Sequence, residues 1–170
     1  MAATNLVYRD LGYYFPVYQT GGQRIRSSYV QYWKWIHWNQ NITDGDSAAV
    51  EDVRGMLVAP HRMYAVRAVV VPTIGTIAFN AANYATCSIY NMGRSGGVII
   101  HTIATLNTAT ANWTLDVENV MTLTTGGTNF VSLVVERGEF IKVELTKEGA
   151  GVACDNLKVS LMCKAIVGHV

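Results

Sequence analysis

Arg137-Gly138-Glu139-Phe140-Ile141-Lys142-Val143-Glu144-Leu145-Thr146-Lys147 alternates in polarity with a period of two. In a strand, residues two apart share a face. Ile141, Val143 and Leu145 are therefore predicted to face a core, and the charged residues between them to face solvent. Gly138 stands where the preceding apolar run ends at Val135, at a corner that calls for a positive φ angle. Glu148-Gly149-Ala150-Gly151 supplies the next turn.

The same texture extends in both directions. Met63–Val71 is a β-branched run closed by Pro72, and Gly75–Phe79 is a shorter one. Tyr84–Asn91 alternates, and Gly93-Arg94-Ser95-Gly96-Gly97 turns the chain into Val98–Leu106. Trp113–Val117, Val120–Thr124, Asn129–Val135 and Leu157–Val167 complete the set. Strands separated by turn signals every few residues predict an all-β, antiparallel β-sandwich of jelly-roll type over residues 61–170. Residues 1–60 are expected to be an extended, aromatic-rich N-terminal arm or edge segment. One short helix is expected near 47–57: Asp44-Gly45-Asp46-Ser47 can cap it, and Ala49, Val50, Val53, Met56 and Leu57 recur at helical spacing.

The arm is where the aromatic residues gather. Residues 1–40 hold ten of the seventeen, and Tyr29-Val30-Gln31-Tyr32-Trp33-Lys34-Trp35-Ile36-His37-Trp38 holds three of the four tryptophans. As a strand, it would send Trp33, Trp35 and His37 one way and Tyr32, Ile36 and Trp38 the other. A buried large aromatic covers about 150–250 Å², worth on the order of 4–6 kcal/mol gross each. Surface of that kind runs through a core or meets another chain. Tyr13, Tyr14, Phe15, Tyr32, Trp33, Trp35 and Trp38 are the candidate assembly interface.

Composition narrows the function classes. The chain has 170 residues, half of them apolar and only 15% charged, with a net charge of +1. One core is expected, and so weak a charge gives a polyanion little to hold, so nucleic acid is not an expected partner. The most apolar run, Ala65–Phe79, is broken by Arg67 and Pro72 and is too short to span a bilayer. No basic leader precedes an apolar stretch, so neither a secretory signal nor a membrane partner is expected. Cys87, Cys154 and Cys163 show no regular spacing and read as packed side chains suited to a reducing cytoplasm.

Catalytic and metal motifs fail on their own geometry. His37, His61, His101 and His169 each lack a second ligand one helical turn or one strand repeat away. Asp44-Gly45-Asp46 begins like a calcium loop but lacks the distal glutamate. The glycine-rich run at 93–97 leads into a strand, whereas a phosphate cradle needs a helix N-terminus. No Gly-x-Ser-x-Gly occurs. Glu136, Glu139, Glu144 and Glu148, beside Arg137, Lys142 and Lys147, read as a solvated strand face rather than a glycosidase pair. The loosest catalytic set is Glu136, Glu144 and His101. The expectation is a non-enzymatic protein without cofactor or metal.

Met63–Val167 resembles the tailed-bacteriophage capsid decoration (cement) and auxiliary head proteins with jelly-roll-like sandwiches. The pieces that carry the likeness are Arg67-Ala68-Val69-Val70-Val71, Asn83-Tyr84-Ala85-Thr86-Cys87-Ser88-Ile89-Tyr90-Asn91, Ile103-Ala104-Thr105-Leu106-Asn107-Thr108 and Arg137–Lys147. The resemblance implies a homo-oligomer, a trimer in preference to a dimer, that clasps major capsid protein subunits from outside the virion after assembly in the host cytoplasm. Residues 1–40 depart from that pattern. The alternative is a carbohydrate- or receptor-binding sandwich of a tail or head fibre, with Trp33, Trp35 and Trp38 as a stacking platform.

Overall fold

The computed structural model describes residues 7–8, 13–14, 32–44, 52–124 and 133–167. The strands are β1 (Val7–Tyr8), β2 (Tyr13–Tyr14), β3 (Tyr32–Asp44), β4 (Asp52–Val58), β5 (Met63–Pro72) and β6 (Tyr84–Asn91). They continue as β7 (His101–Asn107), β8 (Asn119–Val120), β9 (Thr122–Leu123), β10 (Val134–Val135), β11 (Phe140–Glu148) and β12 (Cys154–Val167). All pairings are antiparallel. One sheet runs β10-β5-β12-β3, with β8 also on β5, and the other runs β4-β11-β6-β7-β9. β1 and β2 form a separate two-stranded pair. The protein is an all-β sandwich, as expected.

Both sheets contribute to one core. Ile141, Val143 and Leu145 on β11 are fully buried and join Cys87 and Ile89 of β6, Val70 of β5, and Leu157, Val159 and Leu161 of β12. The period-two reading of β11 therefore holds for its apolar residues. Its charged residues differ from expectation: Glu144 and Lys147 are buried. β11 lies between β4 and β6, so side chains on either face are flanked from both sides. Glu144 is compensated by an ion pair with Lys142, whose ammonium also lies 6.0 Å from the centre of the Tyr90 ring. Such pairing is what makes a buried carboxylate tolerable.

The helix expected near 47–57 is not formed where the chain is described. Asp52–Val58 is strand β4, hydrogen-bonded to β11. The register places Met56 opposite Lys142 and Arg54 opposite Val143, so Gly55 is the extra residue of a β-bulge. A bulge shifts the inward–outward alternation by one. In that ladder Leu57 is the register partner of Ile141, Met56 of Lys142 and Val53 of Glu144. Residues 32–44 and 52–58, read from sequence as part of an arm or edge segment, are the terminal strands of the two sheets.

Other boundaries moved for related reasons. Gly75–Phe79 and Trp113–Val117 are not strands and share one β-bridge, Ile77 to Trp113, with Trp113 in the core. Val120–Thr124 is split, because β8 pairs with β5 while β9 pairs with β7 in the other sheet. Met121 crosses between them, its N–H donating to Ala68 O at 2.9 Å. Val98–Ile100 precede β7 as exposed loop. All three cysteines are buried and none is in a disulfide. Burial, with a smaller push from Cys154, raises the Cys87 thiol to about 12, and burial alone raises Cys163 to about 12.

Candidate assembly surfaces

The sequence-derived interface residues fall on two elements. Tyr13 and Tyr14 form β2, opposite Tyr8 and Val7. Phe15 lies outside the described residues. Tyr32, Trp33, Trp35 and Trp38 are on β3, where the ladder to β12 pairs them with Val167, Ile166, Lys164 and Leu161. Leu161 is a core residue and Lys164 is only partly buried. β3 is the terminal strand of its sheet, and β4, which lies beside it, is the terminal strand of the other. No strand pairs with the far side of β3 among the described residues. An edge of thirteen residues offers a row of backbone donors and acceptors to another chain.

Sequence reading missed a second surface, at the end of the sandwich where Gly138 turns the chain. Gly138 has φ +84°, as the corner requires, and its N–H donates to Ala59 O at 2.9 Å. Ala59 N–H in turn donates to Glu139 O at 2.8 Å. These bonds tie the 136–139 turn to the end of β4 and hold Glu139 beside the end of β6. There Asn91, almost fully buried, donates from Nδ2 to Glu139 Oε2 at 2.7 Å. Glu136 N–H donates to the same oxygen at 2.8 Å. The other end of the Asn91 amide, Oδ1, accepts from Gly93 N–H at 2.8 Å.

Around these bonds lies a cleft of about 180 Å³, lined by Arg62, Asn91, Ile100, His101, Val134, Glu136 and Glu139. Arg62 Nε is 3.0 Å from Glu136 Oε1, both side chains being half-exposed, so the pair is worth under about 1 kcal/mol. The lining holds two carboxylates, one guanidinium and the His101 imidazole. The apolar lining residues are Val134 and the exposed Ile100, which Val98 and Ile99, also exposed, precede in the chain. Gly93 suits this loop, because it has φ +62° and a Cβ there would collide with Ile100 Cδ1.

The loose set Glu136, Glu144 and His101 is not gathered as a unit. Glu136 and His101 line the cleft, while Glu144 is buried on β11 against Lys142. Among the described residues, no group of three or more His, Cys, Asp or Glu side chains could hold a metal ion. Both halves of the missed cleft carried a sequence signal, the 93–97 glycine run and the Arg137-Gly138-Glu139 corner. Their meeting depends on the β6–β11 register, Asn91 opposite Ile141, which no local pattern reveals.

No protein-family model matches the chain, and no curated protein matches it. Among solved structures, it is similar to a chain of infectious bursal disease virus, Gt strain, with 14% identity and a TM-score of 0.36. That match covers 88% of this chain and 37% of the other. A chain of the Gx strain gives 15% identity and a TM-score of 0.35, over 79% of this chain and 34% of the other. This chain therefore spans little more than a third of the length of either.

Proposed function

We propose that the protein is a structural component of a virion, a jelly-roll sandwich that binds the outside of a phage capsid and cements neighbouring major capsid protein subunits. The observation that carries the reading is the position of β3, a long terminal strand rich in tryptophan beside the terminal strand of the opposite sheet. Chains that add a strand to such an edge gain main-chain hydrogen bonds for affinity and alternate side chains for specificity. Clustered Trp and Tyr are the side chains that most often anchor protein interfaces. The resemblance of Met63–Val167 to decoration proteins supplies the partner.

The jelly-roll part of the reading is supported by strand order. Taking β3, β12, β5 and β8 or β10 as one four-strand set, and β4, β11, β6 and β7 as the other, gives two interleaved Greek keys. That architecture serves viral shells and lectins alike, so function rests on the surfaces and not on the fold. Cementing itself needs no chemistry, since whatever binds only the assembled shell stabilises it by mass action. The protein acts as a homo-oligomer, a trimer in this reading, and neither catalysis nor a cofactor enters it.

The test is sedimentation with undecorated capsid shells, preceded by the native mass of the pure protein from light scattering. Co-sedimentation of an oligomer at a fixed ratio to shell subunits supports the proposal. A protein that stays in the supernatant at all concentrations overturns it.

A further inference from the structure

We propose that Cys87 and Cys154 are a redox staple, a thiol pair that joins the two sheets by a disulfide when the protein meets an oxidising disulfide. Cys87 is on β6 and Cys154 opens β12, so the pair belongs to opposite sheets. Both side chains are fully buried in the shared core, and neither is in a disulfide. The cross-link rests on the fold alone. The virion reading adds only the occasion for it, a passage from a reducing cytoplasm to an oxidising exterior.

The connection from β11 to β12 brings the two residues into the core from the same end. After Glu148 the chain turns through Gly149 and Gly151, both with positive φ, and passes to the other sheet. Ala150 N–H donates to Asn83 Oδ1 at 2.8 Å, which pins this crossing to the residue just before β6. From that clamp, Cys87 is four residues on along β6 and Cys154 four residues on along the crossing. The thiols also feel each other: burial raises Cys87 to about 12, and Cys154 adds to the rise, an effect of short range. Cys163 is set apart. It lies nine residues further along β12, about 30 Å at the rise of a strand, between Ile36 and Ala65 in the ladder.

The staple stays open while the sandwich is closed. The thiolate is the attacking species, and thiols held so high carry almost none at neutral pH. Local opening of that end of the sandwich exposes the pair and lets exchange begin. The Cys87 thiolate attacks one sulfur of a small disulfide such as oxidised glutathione, breaking its S–S bond and releasing one glutathione thiolate. The Cys154 thiolate then attacks the Cys87 sulfur of the mixed disulfide and releases the second. The two protein protons end on the two glutathiones, and two electrons pass from the protein to the oxidant.

The experiment treats the pure, full-length protein with excess oxidised glutathione just below its thermal midpoint. Remaining thiols are then alkylated in denaturant and the peptides mapped by mass spectrometry. The expected product has lost two hydrogens, carries a Cys87–Cys154 cross-link and leaves Cys163 alkylated. Its thermal midpoint is expected to rise by roughly 5–15 °C, because the bond constrains a long loop of the unfolded chain. Dithiothreitol is expected to reverse the rise. Chain statistics alone favour a different product, since the short Cys154–Cys163 loop closes more readily than the long one. That product, a glutathione adduct without the cross-link, no reaction, or a cross-link that fails to raise the midpoint would each overturn the staple. Cys163→Ala is expected to close as the wild type does, and Cys154→Ala to show no rise with oxidant. Where Cys154→Ala does not fold, the wild-type peptide map still decides.

Discussion

β11 and β3 are both long antiparallel strands rich in large side chains, and they differ in what lies beside them. β11 has β4 on one side and β6 on the other, and its Ile141, Val143 and Leu145 are wholly buried. Among the described residues, β3 pairs with a strand on one side only, β12. The central strand spends its hydrogen bonds and apolar surface within the chain. One side of the terminal strand's backbone has no partner strand among the described residues. Sticky composition alone therefore does not separate a strand paired on both sides from one paired on a single side among the described residues.

Substitutions on β11 should break the fold, and their effects can be ranked. Leu145→Ala removes a fully buried side chain from the joint core and should cost roughly 2–5 kcal/mol. In a domain of this size the thermal midpoint falls by about 2–4 °C per kcal/mol, which calorimetry would register. Glu144→Gln leaves Lys142 without its buried counter-charge and should cost about 3 kcal/mol, the low end for breaking a buried pair. Urea unfolding at neutral pH measures it, and replacing Lys142 with Met at the same time should recover most of the loss. Gly138→Ala forces a side chain into the left-handed region at φ +84° and should cost about 1–2 kcal/mol. The same denaturation series would rank all three, and a smaller effect from Leu145→Ala than from Gly138→Ala would undo the central-strand argument.

The comparison also explains which parts of the fold were legible in sequence. β6 is read to the residue, and the inward set of β11 with the positive φ of Gly138 follows from alternation and turn chemistry. Bulges defeated the rest. At β4 the spacing of Val53, Met56 and Leu57 suggested a helix, whereas the segment is a strand with a bulge at Gly55. On β12 an extra residue between Cys154 and Leu157, where Asn156 takes φ +49°, hid the true start of the strand. The burial of Glu144 was invisible because it depends on neighbours distant in sequence. The aromatic residues of β3 were singled out as a surface, yet their membership of the sheet was not. The Glu139 cleft was missed for the same reason, since its two halves lie 48 residues apart.

The most direct test of the edge-strand account is the Trp33→Ala/Trp35→Ala variant, measured for both thermal midpoint and binding to capsid shells. The account predicts a stability change within about 1 kcal/mol, as for substitutions away from a core, together with loss of shell binding. A variant that is simply unfolded would show that these tryptophans hold the sandwich together, and a folded variant that binds shells normally would show that β3 is not the contact.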